Sequence, residues 1–90
     1  MITENQLELF RDALLRALKA AGSTGLSVST LEIALRASGF RHFNTQELEG
    51  QLQYFGDKDF AAEVPKSHSV SNKRWRITAA GIDDLEGRGM

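Results

Sequence analysis

The sequence predicts a small α+β domain, mostly helical, with a three-helix core, a two-stranded hairpin and a short closing helix. Three observations predict it. Four segments space their apolar residues three and four apart, the period of a helix with one buried side. Lys73–Thr78 alternates apolar with basic residues, the period of a strand, and Phe60–Val64 reads as its partner. Gly22, Gly39, Gly56 and Gly87 fall where the helical patterns stop. At 90 residues the chain makes one domain, spanning 1–90, with room for a single core.

Thr3, with Gln6 three residues on, has the pattern of a capping box and opens a helix from about Glu4 to Ala21. Leu7, Phe10, Leu14, Ala17, Leu18 and Ala21 fall in one stripe, opposite Glu8, Asp12, Arg16 and Lys19. Leu9, Ala13 and Ala20 widen the stripe on one side and Leu15 widens it on the other. That is broader than a surface helix of a monomer needs. Either later elements cover both flanks, or one flank packs against a second copy of the chain.

Gly22–Gly25 breaks the pattern, and Leu26–Val28 has the makings of a short strand. Ser29 and Glu32 form a second capping-box pattern, opening a helix to about Ser38 with Leu31, Ala34 and Leu35 on one face. Phe40–Phe43 is a turn with aromatic anchors. Asn44 and Glu47 give a third capping box, and the helix they open buries Leu48, Leu52 and Phe55 before Gly56 ends it. After a turn at Asp57–Asp59, Phe60, Ala62 and Val64 are expected to face inward from a strand. Pro65 marks its end or an edge, and Lys66–Lys73 is a polar loop. In the returning strand Trp75 and Ile77 point inward while Arg74 and Arg76 point outward. Thr78 caps the last helix, whose stripe is Ile82 and Leu85. Asp83, Asp84 and Glu86 read as charges that complement the positive end of its dipole.

Two short helices joined by a tight turn and followed by a hairpin make a winged helix-turn-helix. Trp75-Arg76-Ile77-Thr78-Ala79-Ala80-Gly81, followed by Ile82 and Leu85, resembles the passage from wing to helix in MarR-like and PadR-like transcriptional regulators. There an aromatic, an aliphatic, a Thr, two variable residues and a Gly recur. The resemblance covers nearly the whole chain in element order, and only the last strand and helix in motif. It implies a small transcriptional regulator or accessory factor that binds double-stranded DNA, with the third helix in the major groove and the wing on the backbone. It also implies a homodimer formed through the first and last helices.

Two groups of residues would carry that contact. On the third helix Gln46, Gln51 and Gln53, with Glu47, Glu49, Gly50 and Tyr54, lie away from the buried stripe. Gln can hydrogen-bond an adenine edge and Glu can accept from cytosine. In the wing Lys66, Lys73, Arg74 and Arg76 occupy a stretch free of acids, which Arg36, Arg41 and His42 extend. Lys73, Arg74 and Arg76 are expected on phosphates. Against this, the third helix holds Glu47, Glu49 and Asp57 but no Lys or Arg, and basic residues on an edge strand also guard against aggregation. The alternative is a winged-helix protein-interaction module that binds no nucleic acid. Gly50 costs about 1 kcal/mol relative to Ala in an exposed helix interior. Either the position is unselected, or a DNA backbone or partner helix approaches closely there.

The net charge of −1 means that any attraction to nucleic acid is local. With no Cys, disulfides, thiolate metal sites and cysteine catalysis are excluded, in keeping with a cytoplasmic protein. No apolar run spans a bilayer, and the N-terminus lacks the basic start and apolar core of a signal peptide. No enzyme is expected. His42 and His68 have no carboxylate at a motif spacing, Ser67 and Ser69 sit in a polar loop, and no cofactor or metal site is recognisable.

Overall fold

The computed structural model describes residues 3–64 and 74–88. The elements run α1 (Glu4–Ala21), a single 3-10 turn (Gly22–Thr24), β1 (Leu26–Ser27), α2 (Val28–Ala37), α3 (Thr45–Asp57), β2 (Ala61–Glu63), β3 (Arg74–Ile77) and α4 (Ala79–Arg88). The three strands form one antiparallel sheet in the order β1-β3-β2. The expected two-stranded hairpin therefore gains a third strand. Leu26 pairs with Trp75 and Ser27 with Arg74, so the segment after α1 is stitched to the wing at its other edge.

One core joins all of these elements. Phe10, Leu14, Leu15 and Leu18 of α1 meet Leu31 and Leu35 of α2, Leu48, Leu52 and Phe55 of α3, Trp75 and Ile77 of β3, and Leu85 of α4. The α2–α3 turn is anchored by aromatic edge-to-face contacts. Phe40 and Phe43 set their rings 5.4 and 5.2 Å from that of Phe10. The wide stripe of α1 resolves unequally. Leu15 is fully buried, whereas Leu9 is 62% exposed.

β3 alternates as its sequence does, with Arg74 and Arg76 exposed and Trp75 and Ile77 buried. β2 does not have the expected phase. Ala61 is its buried residue, opposite Ile77, and Ala62 lies opposite the outward Arg76. Cross-strand neighbours share a face, so the strongly patterned β3 imposes its register on a short strand of mostly small residues.

Of the three expected capping boxes only the one on α3 forms. Asn44 Oδ1 accepts from Glu47 N at 2.8 Å, and Glu47 Oε1 accepts from Asn44 N at 3.2 Å. At α1 the Thr3 side chain makes no cap bond, since water can satisfy the free N–H groups of an exposed end. At α2 the cap is Ser27, not Ser29: its Oγ accepts from Thr30 N at 3.3 Å and the helix starts earlier than expected. Glu32 instead accepts a hydrogen bond from the Thr45 hydroxyl, tying α2 to the start of α3. α3 continues past Gly56 to Asp57, and the left-handed residue that stops it is Asp59, at φ 62°. Gly56 lies against the indole: a Cβ there would stand 3.4 Å from Trp75 Cζ3, an ordinary van der Waals contact.

Thr78 caps α4 as expected, accepting from Gly81 N at 3.1 Å, while its own N–H donates to Phe60 O. With the helix starting at Ala79, Asp83 and Asp84 fall in its second turn rather than its first. They lie beyond the span over which the dipole acts strongly. Glu86 instead approaches Lys19 of α1, at 4.0 Å.

Candidate nucleic-acid interface

α3 is held at its start, on its inner side and on one flank. The capping box and the Thr45–Glu32 bond hold its start, and Leu48, Leu52 and Phe55 hold its inner side. On the flank, Arg11 of α1 places its guanidinium 4.0 Å above the Tyr54 ring and donates from Nε to Gln51 Oε1 at 2.7 Å. Lys58 reaches the same ring, at 5.8 Å. A cation over an aromatic face, hydrogen-bonded to a neighbour one helical step away, fixes both side chains.

That flank divides the expected reading surface. Gln46 and Gln53 are exposed on the outer face with Glu49, Gly50 and Asp57. Gln51 is half-buried against α1, and its carbonyl is taken by Arg11. The geometry explains it: five residues after Gln46 a helix has turned about 140° past a full turn. Tyr54 is half-buried as well, and Glu47 is engaged in the cap. Gln53 donates to Asp57 Oδ1 at 3.3 Å, which steadies it along the helix surface. The outer face is thus two amides, two carboxylates and a bare glycine.

The basic group lies on β3 and at the helix-turn-helix corner. Arg74 and Arg76 share the outer face of β3. Arg74 folds over the start of β1, donating from Nε to Thr24 O at 3.3 Å and from Nη2 to Gly25 O at 3.1 Å. It therefore holds the break after α1 as well as carrying charge. Arg76 projects from the strand opposite Ala62. Lys66 and Lys73 lie outside the described residues. At the corner Arg41 and His42 are exposed, and Arg36 stacks 4.6 Å from the Phe43 ring and donates to Phe43 O.

Sequence reasoning missed Arg11 and the pairing of β1. Neither has a local signal. Arg11 meets residues 40 positions away, and a two-residue strand is too short to show alternation. Among the described residues no three His, Asp or Glu side chains are grouped to hold a metal ion, and no helix is long and apolar enough to cross a membrane.

No protein-family model matches the sequence, and no curated protein does. Solved structures do match, and they share the winged-helix architecture. A point mutant of MepR from S. aureus, a regulator of the MarR family, aligns over 96% of this chain with a TM-score of 0.69 and 19% identity. A second MepR mutant, bound to an oligodeoxyribonucleotide, aligns over 91% with a TM-score of 0.70 and 19% identity. A MepR–DNA complex aligns over 96%, again at 0.70 and 19%. The chain spans 55%, 56% and 68% of those three chains respectively. At that identity the likeness establishes the fold: an α+β winged helix with four helices and a three-stranded antiparallel sheet.

Proposed function

We propose that this protein binds double-stranded DNA as a small transcriptional regulator or accessory factor, with α3 toward the major groove and the outer face of β3 toward the backbone. The observation that most supports this is the fold likeness over nearly the whole chain to structures solved with DNA bound. The exposed Arg74 and Arg76, with Arg41 at the helix-turn-helix corner, supply the local positive charge that a chain of net charge −1 lacks overall. In this reading Gln46 and Gln53 face base edges and Arg76 contacts phosphate, and Lys66 and Lys73 add to the positive charge of the sequence around the wing. Gln51 supports α3 from the side instead of reading DNA, and Arg74 divides its role between backbone carbonyls and the surface.

The protein acts as a homodimer in this reading. Leu9 and Ala20 are exposed on α1, and Ala20 lines a groove with Arg16, Lys19, Leu85 and Glu86. A second copy covers these apolar residues.

One observation favours a different partner. The outer face of α3 carries Glu49 and Asp57 and no cation, and a protein with a basic surface would complement it. Fluorescence anisotropy of a labelled mixed-sequence duplex, at low and near-physiological salt, separates the two. DNA binding predicts affinity that falls steeply with salt, by a log–log slope of about −0.9 per phosphate contact. No binding at low salt selects the protein-interaction module.

A further inference from the structure

We propose that Glu49 is a specificity-determining residue, and that it makes a cytosine amino group a requirement of the preferred DNA site. The inference rests on the DNA-binding reading. Gln46, Glu49 and Gln53 follow one another three and four residues apart, and all three are exposed on the outer face of α3. From the first to the last the helix rises about 10.5 Å, the height of roughly three base-pair steps of 3.4 Å. The three side chains are thus spread over a stretch of about four base pairs.

Gly50 lies among them. A Cβ built there meets nothing within 4 Å, so no packing inside the chain calls for glycine. Glycine is a poor helix former, and its place in this exposed helix interior has no intramolecular account. Its effect is a notch in the outer face. The helix can come closer to a groove floor by the thickness of a methyl group, which brings the flanking side chains onto base edges.

Electrostatics then choose the base. No Lys or Arg occurs from Thr45 to Asp57. A carboxylate entering a groove walled by phosphates is repelled unless a base donates a hydrogen bond to it. In the major groove only the amino groups of cytosine and adenine donate. In an A·T pair that donor sits between two acceptors, adenine N7 and thymine O4, which repel a carboxylate. In a C·G pair it has an acceptor on one side only. Glu49 therefore accepts from cytosine N4 and acts against every sequence lacking it, by exclusion as much as by recognition. An amide in the same place has the opposite preference, because it pairs with adenine N6 and N7 together.

The test is selection from a randomised duplex library with the wild-type protein and with Glu49→Gln, followed by anisotropy on the enriched duplexes. The wild type should enrich cytosine at one position that becomes adenine for Glu49→Gln. Changing that cytosine should weaken wild-type binding roughly ten- to a hundredfold. Glu49→Gln should also bind a mixed-sequence duplex more tightly than wild type. Gly50→Ala should melt at a higher temperature yet bind the enriched duplex several-fold more weakly. If Glu49→Gln keeps the wild-type base preference, or the wild type shows no cytosine where the two differ, the assignment is overturned while DNA binding stands. Unchanged affinity in Gly50→Ala overturns the notch. If the wild type binds no duplex at low salt, the DNA-binding reading falls and this inference with it.

Discussion

Gly81 and Gly50 are both glycines inside helices, and the surrounding structure treats them oppositely. A Cβ on Gly81 would collide with the carbonyl of Phe60 and press on Ile77, because the start of α4 lies against the residue that leads into β2. Gly81→Ala should therefore cost about 1–3 kcal/mol through overpacking, lowering the thermal midpoint by several degrees. Gly50→Ala adds a methyl to open space and should gain up to about 1 kcal/mol. Melting curves followed by circular dichroism compare the two directly. A Gly81→Ala variant that melts with the wild type would remove the close approach. Gly25 is confined in the same way as Gly81. It sits at φ 73°, and a Cβ would stand 2.5 Å from Trp75 O, where β1 and β3 converge. Gly81 was legible as part of the wing-to-helix motif, but its reason, a carbonyl far away in sequence, was not.

At the scale of elements, helix ends show where local chemistry decides and where it does not. Asn44 and Glu47 close their box, and Asn44→Ala should cost about 1 kcal/mol. Thr3→Ala should cost almost nothing, since the Thr3 side chain makes no cap bond. Equal losses in a urea titration of the two variants would contradict this assignment. The Ser29–Glu32 pattern was as good as the Asn44–Glu47 pattern in sequence. It failed because Ser27, at the end of β1, capped first and Thr45 engaged Glu32. β2 was mis-phased for a related reason. Three residues with two alanines carry too weak an inside-outside signal to resist the register set by Trp75 and Ile77.

At the scale of the whole molecule, the two flanks of α1 lead to a prediction about assembly. Leu15 is covered by the chain itself, and Leu9 is left 62% exposed. Light scattering should report a dimer, and Leu9→Glu should make it a monomer that keeps the wild-type circular dichroism spectrum. A wild-type monomer would sink the dimer reading. The basic strip belongs to this scale too. Arg76→Ala should weaken binding to all duplexes alike and flatten the salt slope by about one. Arg74→Ala should do this and also destabilise the fold, because Arg74 bonds the carbonyls of Thr24 and Gly25. Sequence-selective loss in Arg76→Ala would contradict a phosphate contact.

The sequence by itself determined the order of the helices, the buried face of each, the alternation of Arg74 to Ile77, the caps at Asn44 and Thr78, and hence the winged-helix class. All of these follow from spacing along one element, which propensity and periodicity act on directly. Only the tertiary structure decided that β1 joins the sheet, that Ala61 faces inward, that Gln51 leaves the outer face for Arg11, and that Leu9 stays uncovered. Each of those outcomes depends on a partner distant in the chain or missing from it. No local pattern records such a partner, because cross-strand register and inter-helix contacts are settled between elements by packing, not within them.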